Sequence, residues 1–148
     1  MSATWSEYYA AVDRCYAQQN HNSNMRSQIS QCQNQITKLE EKIRRLNRAK
    51  SNAISDNSAF SSDMNAKIKS IDAGRFTGER KDKVQTAMDQ VKSAVADYTG
   101  STFDRSVVTP IDNKVQELRN EISNLNSQIS SCRSRIVRIN WPSIPVEN

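Results

Sequence analysis

The spacing of the apolar residues constrains this chain more than any other feature. From Met25 to Leu46 the apolar positions alternate between four and three residues apart, and the same alternation runs from Ile111 to Ile139. This heptad pattern is typical of amphipathic helices that pack side by side along one apolar seam. The residues expected to form the seam within the molecule are Ile29, Ile36, Leu39, Ile43, Leu46, Val115, Leu118, Ile122, Leu125 and Ile129.

The pattern is weaker between these two stretches, but it continues. Counting in heptads leads to Phe60, Met64 and Ile71 before the centre of the chain, and to Val84, Met88, Val91, Val95 and Tyr98 after it. We therefore expect these eight side chains to belong to the same seam.

The centre of the chain interrupts the heptads. Two of the three glycines, Gly74 and Gly78, lie there on either side of Phe76. Because glycine is permissive in tight turns, we expect the chain to reverse direction over 73–78, with Phe76 packed back against the helices. The sequence predicts an all-α fold, an elongated antiparallel helical hairpin, with residues 1–148 forming one domain.

The first arm is expected to span about residues 4–72. Thr4 followed by Glu7 has the spacing of a capping box, which favours a helix start at that point. The asparagine-rich stretch 18–24 has no apolar residue and is a candidate break, because asparagine side chains compete with helical backbone hydrogen bonds.

The second arm is expected to span about residues 79–139, followed by a tail over 140–148. A kink or break is predicted near 100–110. Gly100 favours a helix stop there, and Thr109, with proline directly after it, suits the cap of a new helix.

Composition fits helices better than a thick globular interior. Apolar residues make up 36% of the 148 residues, and the mean hydropathy is −0.77. The net charge is +5, but the densest basic run, 42–50, surrounds the seam residues Ile43 and Leu46 and is interpreted as a solvated helix face. We expect no nucleic-acid binding, since no zinc-finger spacing or phosphate-binding loop accompanies this run.

The chemically reactive residues do not form a recognisable active site. His21 is the only histidine, and the cysteines, Cys15, Cys32 and Cys132, are odd in number and lack a CxxC spacing. We expect no catalytic residues, no metal site and no cofactor, and hence no enzyme. Whether Cys15 and Cys132 pair in a disulfide stays open.

No stretch is apolar and long enough to cross a bilayer, and the N-terminal residues do not resemble a secretory leader. The sequence predicts a protein made in the cytoplasm, without stable membrane insertion.

A two-helix hairpin buries one seam per helix and leaves further apolar side chains exposed. We therefore expect a helical partner. Residues beside the main seam are the candidates for packing against it: Trp5, Val12, Tyr16, Ala87 and Ala94.

Three stretches carry a resemblance to known proteins: "ISQCQNQITKLEEKIRRLNRAKSNA", then "FTGERKDKV", then "VQELRNEISNLNSQIS". Together they cover about Met25 to Ile136, and they resemble the YwqH-like family of small helical proteins associated with LXG-domain toxins. The arrangement of two arms about an aromatic-x-Gly turn is also similar to the WXG100 proteins of type VII secretion, with Phe76 in place of tryptophan.

The resemblance implies a non-enzymatic partner protein that binds the N-terminal helices of an LXG toxin and helps to present it for type VII secretion. It leaves room for a second small helical partner and for contact with the secretion ATPase. An export signal would fall on Phe76 and Gly78, and a weaker candidate signal, of the YxxxD type, on Tyr9 and Asp13. The protein itself would stay in the cytoplasm or leave with its toxin, without a cleavable signal peptide.

The alternative function is structural. Heptads of this kind also occur in homo-oligomeric coiled coils and in subunits of tethering complexes that have no export role.

Overall fold

The computed structural model describes residues 4–146. This part of the chain is largely helical and contains no β-strand. The elements are α1 (Trp5–Ser70), a short 3₁₀ turn (Ala73–Arg75), α2 (Gly78–Asp97), two π-helical segments (Tyr98–Thr102 and Asp104–Val108) and α3 (Thr109–Arg135). The predicted all-α class is confirmed.

The chain divides into two compact units. Unit 1 joins Met1–Glu40 to Arg119–Asn148, and unit 2 is Glu41–Leu118. Each unit therefore pairs a stretch of α1 with a stretch that follows much later in the sequence.

In unit 1, α1 and α3 run antiparallel. The Cys32 thiol faces Gln128 Oε1 at 3.7 Å. One turn earlier in α1, Gln28 Oε1 accepts a hydrogen bond from the Cys132 thiol at 3.4 Å. Moving back along α1 thus corresponds to moving forward along α3, which is the arrangement of a helical hairpin.

Unit 2 has the same antiparallel arrangement. Lys50 Nζ lies 2.7 Å from Asp112 Oδ1, and further along α1 the Asn57 amide donates to the Thr99 carbonyl at 2.8 Å. The hairpin prediction is therefore confirmed within each unit.

The start of α1 has the predicted capping box. The Thr4 backbone N–H donates to Glu7 Oε2 at 2.7 Å, and the Glu7 N–H donates to Thr4 Oγ1 at 3.2 Å. These two bonds satisfy backbone donors that have no partner inside the helix.

The candidate break at 18–24 is helix instead, because α1 continues through it without interruption. The asparagine side chain that matters, Asn22, does not compete with the helical backbone. It is 3% exposed and hydrogen-bonds to the main chain of Val137. Because this tertiary contact occupies the side chain, Asn22 does not bond to the backbone of α1 and does not interrupt the helix.

The predicted seam is present, but it is only partly shielded from solvent. Val115, Leu118 and Ile129 are buried, whereas the other predicted seam residues remain half-buried. Among the described residues, no side chain is less than 2% exposed. The half-buried seam residues are Ile29, Ile36, Leu39, Ile43, Leu46, Ile122 and Leu125.

The predicted continuation of the seam through unit 2 is wrong at four positions. On α1 the interior side passes through Ser61, which is half-buried, and Ile68, which is 9% exposed, whereas Phe60 and Ile71 are exposed. A straight α-helix has 3.6 residues per turn, so a strict heptad count drifts and the interior side moves to the next residue. On the second arm Val91 and Tyr98 are exposed. At the other predicted positions Val95 is buried, and Met64, Val84 and Met88 are half-buried.

The turn between α1 and α2 depends on one of its two glycines. Gly78 has a φ of +59°, a conformation that favours glycine. Gly74 has no positive φ, and its N–H donates to Asp72 Oδ1 at 2.9 Å, which stabilises the 3₁₀ turn. Phe76 remains 38% exposed, so it packs back only in part.

The predicted kink occurs at Gly100, inside the first π-helical segment, where the backbone angles (φ −98°, ψ −106°) leave the helical region. Asn57 donates to the carbonyl of Thr99, a backbone group that the kink frees from the regular helix ladder. Thr109 has helical angles (φ −61°, ψ −45°), so its predicted role as an N-terminal cap is wrong.

Helix α3 ends at Arg135, earlier than the predicted limit of residue 139. The reason is that the backbone at the end of α3 bonds to α1 instead of extending the helix, since His21 Nε2 donates to the Arg135 carbonyl at 2.9 Å. The tail that follows has no regular secondary structure as far as residue 146, and residues 147–148 of the predicted tail lie outside the described part of the chain.

Candidate functional site

The turn of unit 2 places both predicted export-signal residues at the surface. Phe76 follows the 3₁₀ turn, and Gly78 begins α2. The exposed Ile71 adds a second apolar side chain to the same turn. The turn is therefore a small apolar surface on a backbone reversal.

Basic side chains surround this turn. The segment 67–83 carries six basic and three acidic residues. Two of the acidic residues have ion pairs with basic neighbours: Arg75 with Asp72 at 3.8 Å, and Lys83 with Glu79 at 3.3 Å. The turn thus combines exposed apolar groups with net positive charge.

The first turns of α1 carry an aromatic cluster. The rings of Trp5, Tyr8 and Tyr9 contact one another, with centroid separations of 5.5 to 5.9 Å. Trp5 and Tyr9 nevertheless remain exposed, so these contacts leave aromatic surface available.

The weaker candidate signal lies in this cluster. Tyr9 and Asp13 are four residues apart in one continuous helix, as the sequence predicted, and both are exposed. Tyr9 packs against its aromatic neighbours in α1.

A polar latch holds the tail against α1 in unit 1. We define the latch as Cys15, His21 and Asn22. Each side chain bonds to the main chain beyond or at the end of α3: Cys15 to Asn140 at 3.3 Å, His21 to Arg135 at 2.9 Å, and Asn22 to Val137 at 2.7 and 3.0 Å.

The latch brings two aromatic residues together. Trp141, one residue beyond the carbonyl held by Cys15, packs edge-on against Tyr16 with a centroid separation of 5.1 Å. Sequence reasoning assigned no role to Asn22 or Trp141 and treated His21 as an ordinary polar residue. The available signal was that Asn22 lies three residues before Met25, the first residue of the apolar seam, and hence on the same side of α1.

Helix α2 and the first residue of the π-helical segment that follows it expose an apolar stripe, which we call the α2 stripe and define as Ala87, Val91, Ala94 and Tyr98. These residues are four, three and four positions apart, so they lie on one side of the helix. All four are exposed. The predicted partner-packing residues Ala87 and Ala94 are therefore placed together on an accessible surface.

Phe60 of α1 lies beside this stripe and adds a further exposed apolar side chain to it. Its ring contacts the ring of Tyr98 edge-on, with a centroid separation of 5.9 Å. Both residues border an open hollow that is also lined by Ala53, Asp56 and Phe103. We call the α2 stripe together with Phe60 the furrow.

The other partner-packing candidates lie in unit 1. Trp5 and Tyr16 are exposed, whereas Val12 is half-buried. Tyr16 already packs against Trp141 of the tail, which leaves Trp5 as the more available of the two aromatic residues.

The structure does not bring Cys15 and Cys132 together. All three cysteines are buried and free. Cys15 lies against Asn140, and Cys132 lies against Gln28, which is thirteen residues from Cys15 and hence about 20 Å away along α1. A disulfide requires Cα atoms within about 7 Å, so this pairing would need a large rearrangement.

Over residues 4–146, no group of three or more His, Cys, Asp or Glu side chains is placed to hold a metal ion. In the same range, no helix combines the length and the apolar character needed to cross a membrane.

Comparison with known proteins assigns the chain to a family. The YwqH-like family model matches residues 20–141, which is most of the chain. The chain belongs to the YwqH-like family. No curated protein and no solved structure shows significant similarity to it.

The match shows which surfaces of this YwqH-like chain belong to the family region. It includes the turn, the furrow, His21, Asn22 and Trp141. It begins after the aromatic cluster of α1, so Trp5, Tyr9 and Asp13 lie outside it.

Proposed function

We propose that this YwqH-like protein is a non-enzymatic partner and targeting protein. It binds the helical N-terminal region of an LXG-type toxin and helps to present that toxin for type VII secretion. Membership of the YwqH-like family supports the proposed association with an LXG-type toxin, because the sequence resemblance implies it. The exposed apolar surface of unit 2 supports partner binding.

One observation carries the proposal: the exposed furrow of unit 2. Monomeric proteins rarely expose contiguous apolar surface without a use for it, and a 4-3-4 apolar stripe on a helix suits another helix. Side-by-side packing would bury the furrow together with the apolar stripe of an incoming toxin helix.

The thin interior supports the same function. Most of the predicted seam is only half-buried, so folding alone removes a limited part of its apolar surface from water. A partner that binds only the folded form stabilises it by mass action, by about 2.7 kcal/mol when its concentration is a hundred times the Kd.

The turn supplies the targeting element. Phe76 and Gly78 lie in a backbone reversal, where the exposed Phe76 side chain and the surrounding positive charge are suited to recognition by a secretion ATPase. In this proposal the protein is made in the cytoplasm and either remains there or leaves with its toxin. A second small helical partner would complete the helical assembly.

Native affinity purification from the source cells tests the proposal, with mass spectrometry of the proteins that copurify. We expect a larger protein with an LXG-type helical N-terminal region in stoichiometric amount. Recovery of the bait alone, as a stable homodimer, would contradict the proposal and favour a structural coiled coil.

A further inference from the structure

The furrow has an uncovered apolar floor. Phe60, Val91 and Tyr98 are 43, 44 and 56% exposed, and the small residues Ala87 and Ala94 alternate with the larger ones along α2. Small side chains let a second helix approach closely, because the distance between packed helix axes depends on the side chains at the contact. The floor therefore fits a helix better than an irregular segment.

Carboxylates border this floor. Asp56 and Asp63 are four residues before and three residues after Phe60, so they lie on the same side of α1. Asp97 precedes Tyr98 and follows Ala94 by three residues, which places it along the edge of the α2 stripe. We call these three aspartates the acidic rim.

The acidic rim is available for a partner. All three aspartates are exposed, and within residues 4–146 none of them forms an ion pair. Asp56 also lines the hollow beside Phe60 and Tyr98. The carboxylates thus face solvent beside exposed apolar groups.

The sign of this charge is opposite to that of the whole chain. The net charge is +5, yet segment 51–66 of α1 carries two acidic residues and no basic residue. Most basic residues of unit 2 lie in 42–50 and in the turn, and the others are Lys92, Arg105 and Lys114. None of these three lines the hollow beside Phe60 and Tyr98, whereas Asp56 does, so this end of the furrow is an acidic surface on a basic protein.

We propose that the furrow binds an amphipathic helix of a partner whose apolar stripe is flanked by lysine or arginine. The inference rests on the proposed function in that it takes the occupant to be a helix of the bound partner. Complementary charge fixes the register and the choice of partner more than the affinity, and its effect weakens as salt rises.

Two synthetic peptides test the charge preference on the full chain. Both are 25-residue amphipathic helices with the same leucine and alanine seam, flanked by lysine in one and by glutamate in the other. We expect the lysine peptide to bind about tenfold more tightly at low salt, and the difference to shrink in 1 M salt. Equal binding of the two peptides, or binding of neither, would overturn the inference.

A pair of double variants assigns the preference to the rim. Asp56→Lys with Asp63→Lys should abolish or reverse the preference for the lysine peptide. Asp82→Lys with Asp89→Lys makes the same change in charge at exposed positions of α2 outside the rim, and should leave the preference within about twofold. Thermal unfolding, monitored by circular dichroism, establishes that all variants fold. Equal behaviour of the two double variants would contradict the assignment.

Photo-crosslinking tests the site with the native partner. A photoreactive amino acid replaces Ala94 in the furrow or Lys92, which borders a hollow with Asn65, Ile68 and Lys69 elsewhere on unit 2. We expect the Ala94 variant to crosslink a helical segment rich in lysine or arginine. Crosslinks from Lys92 alone, to an acidic segment, or to a second copy of this chain would overturn the inference.

The outcomes separate this inference from the proposed function. A stoichiometric toxin that crosslinks away from the furrow would leave the proposed function intact and remove the furrow as its site. Clear discrimination between the peptides without any copurifying toxin would support the furrow as a helix-binding site and contradict the proposed function.

Discussion

Among single residues, Asn22 makes two hydrogen bonds to the main chain of Val137, one donated at 2.7 Å and one accepted at 3.0 Å. Its side chain therefore pairs with both main-chain polar groups of Val137, a residue beyond the end of α3. Because Asn22 is buried, water does not replace these bonds easily if the side chain is removed.

We expect Asn22→Ala to lower the free energy of unfolding by about 2–4 kcal/mol, since it leaves the Val137 N–H and carbonyl without their partner. Asn24→Ala is the matched control. Asn24 is exposed in the same helix, so its replacement should change stability by no more than about 0.5 kcal/mol, and alanine favours the helix slightly. Urea denaturation measures both. Equal stability of the two variants would show that the hydrogen bonds of Asn22 contribute nothing to the free energy of unfolding.

Gly78 is the second residue whose identity the backbone dictates. With φ at +59°, alanine at this position should cost about 1–2 kcal/mol, and asparagine should cost less because it tolerates the left-handed region better. The space around Gly78 is open, so a steric clash does not contribute. Chemical denaturation of Gly78→Ala and Gly78→Asn provides the comparison, and alanine as stable as asparagine would refute the backbone argument.

At the scale of elements, α1 shows how much of the helix packing the heptad spacing predicts. The heptads predicted the helices and the antiparallel pairing within each unit, because burial of an apolar stripe is the main constraint on an amphipathic helix. In the stretch with few large apolar residues, heptad counting selected Ile71, whereas the structure buries Ile68. Two isoleucines three residues apart are both plausible from sequence, and only packing against α2 decides between them.

This choice of register predicts a difference between two similar substitutions. Ile68→Ala should destabilise the protein by about 2–3 kcal/mol, because Ile68 is 9% exposed and its removal leaves a cavity. Ile71→Ala should cost less than about 1 kcal/mol, because Ile71 is 47% exposed. The midpoints of thermal unfolding of the two variants provide the test. If Ile71→Ala proves the more destabilising, the heptad register of the sequence is correct and the observed one is not.

The latch and the furrow were less accessible to sequence reasoning. Ala87 and Ala94 were predicted as partner-packing residues, since they lie beside the seam at heptad spacing. The latch bonds join α1 to the main chain of the tail across more than a hundred residues, and main-chain groups leave no pattern in the sequence. The acidic rim was hidden for a related reason. Spacing alone places Asp56 beside Phe60 and Asp97 beside Tyr98, but only the packing of the helices brings Phe60 against Tyr98.

For the molecule as a whole, the proposed binding and targeting roles fall on separate surfaces of unit 2. The furrow lies along α2 and beside Phe60, whereas Phe76 lies in the turn before α2. Because the two surfaces share no residue, a substitution in one should leave the proposed role of the other intact. Under the proposed function, such independent effects would distinguish a targeting protein from a coiled coil that only associates.

Replacing Phe76 tests the separation directly. Phe76→Ala should leave folding and copurification of the toxin unchanged, because the side chain is 38% exposed and lies outside the furrow, and it should reduce export of the toxin at least about tenfold. Ile71→Ala removes an exposed apolar group from the same turn and controls for general loss of apolar surface. The measurement is the amount of toxin in the culture medium relative to the cells. Export at the wild-type level with Phe76→Ala, or an equal loss with Ile71→Ala, would exclude Phe76 as a specific export signal.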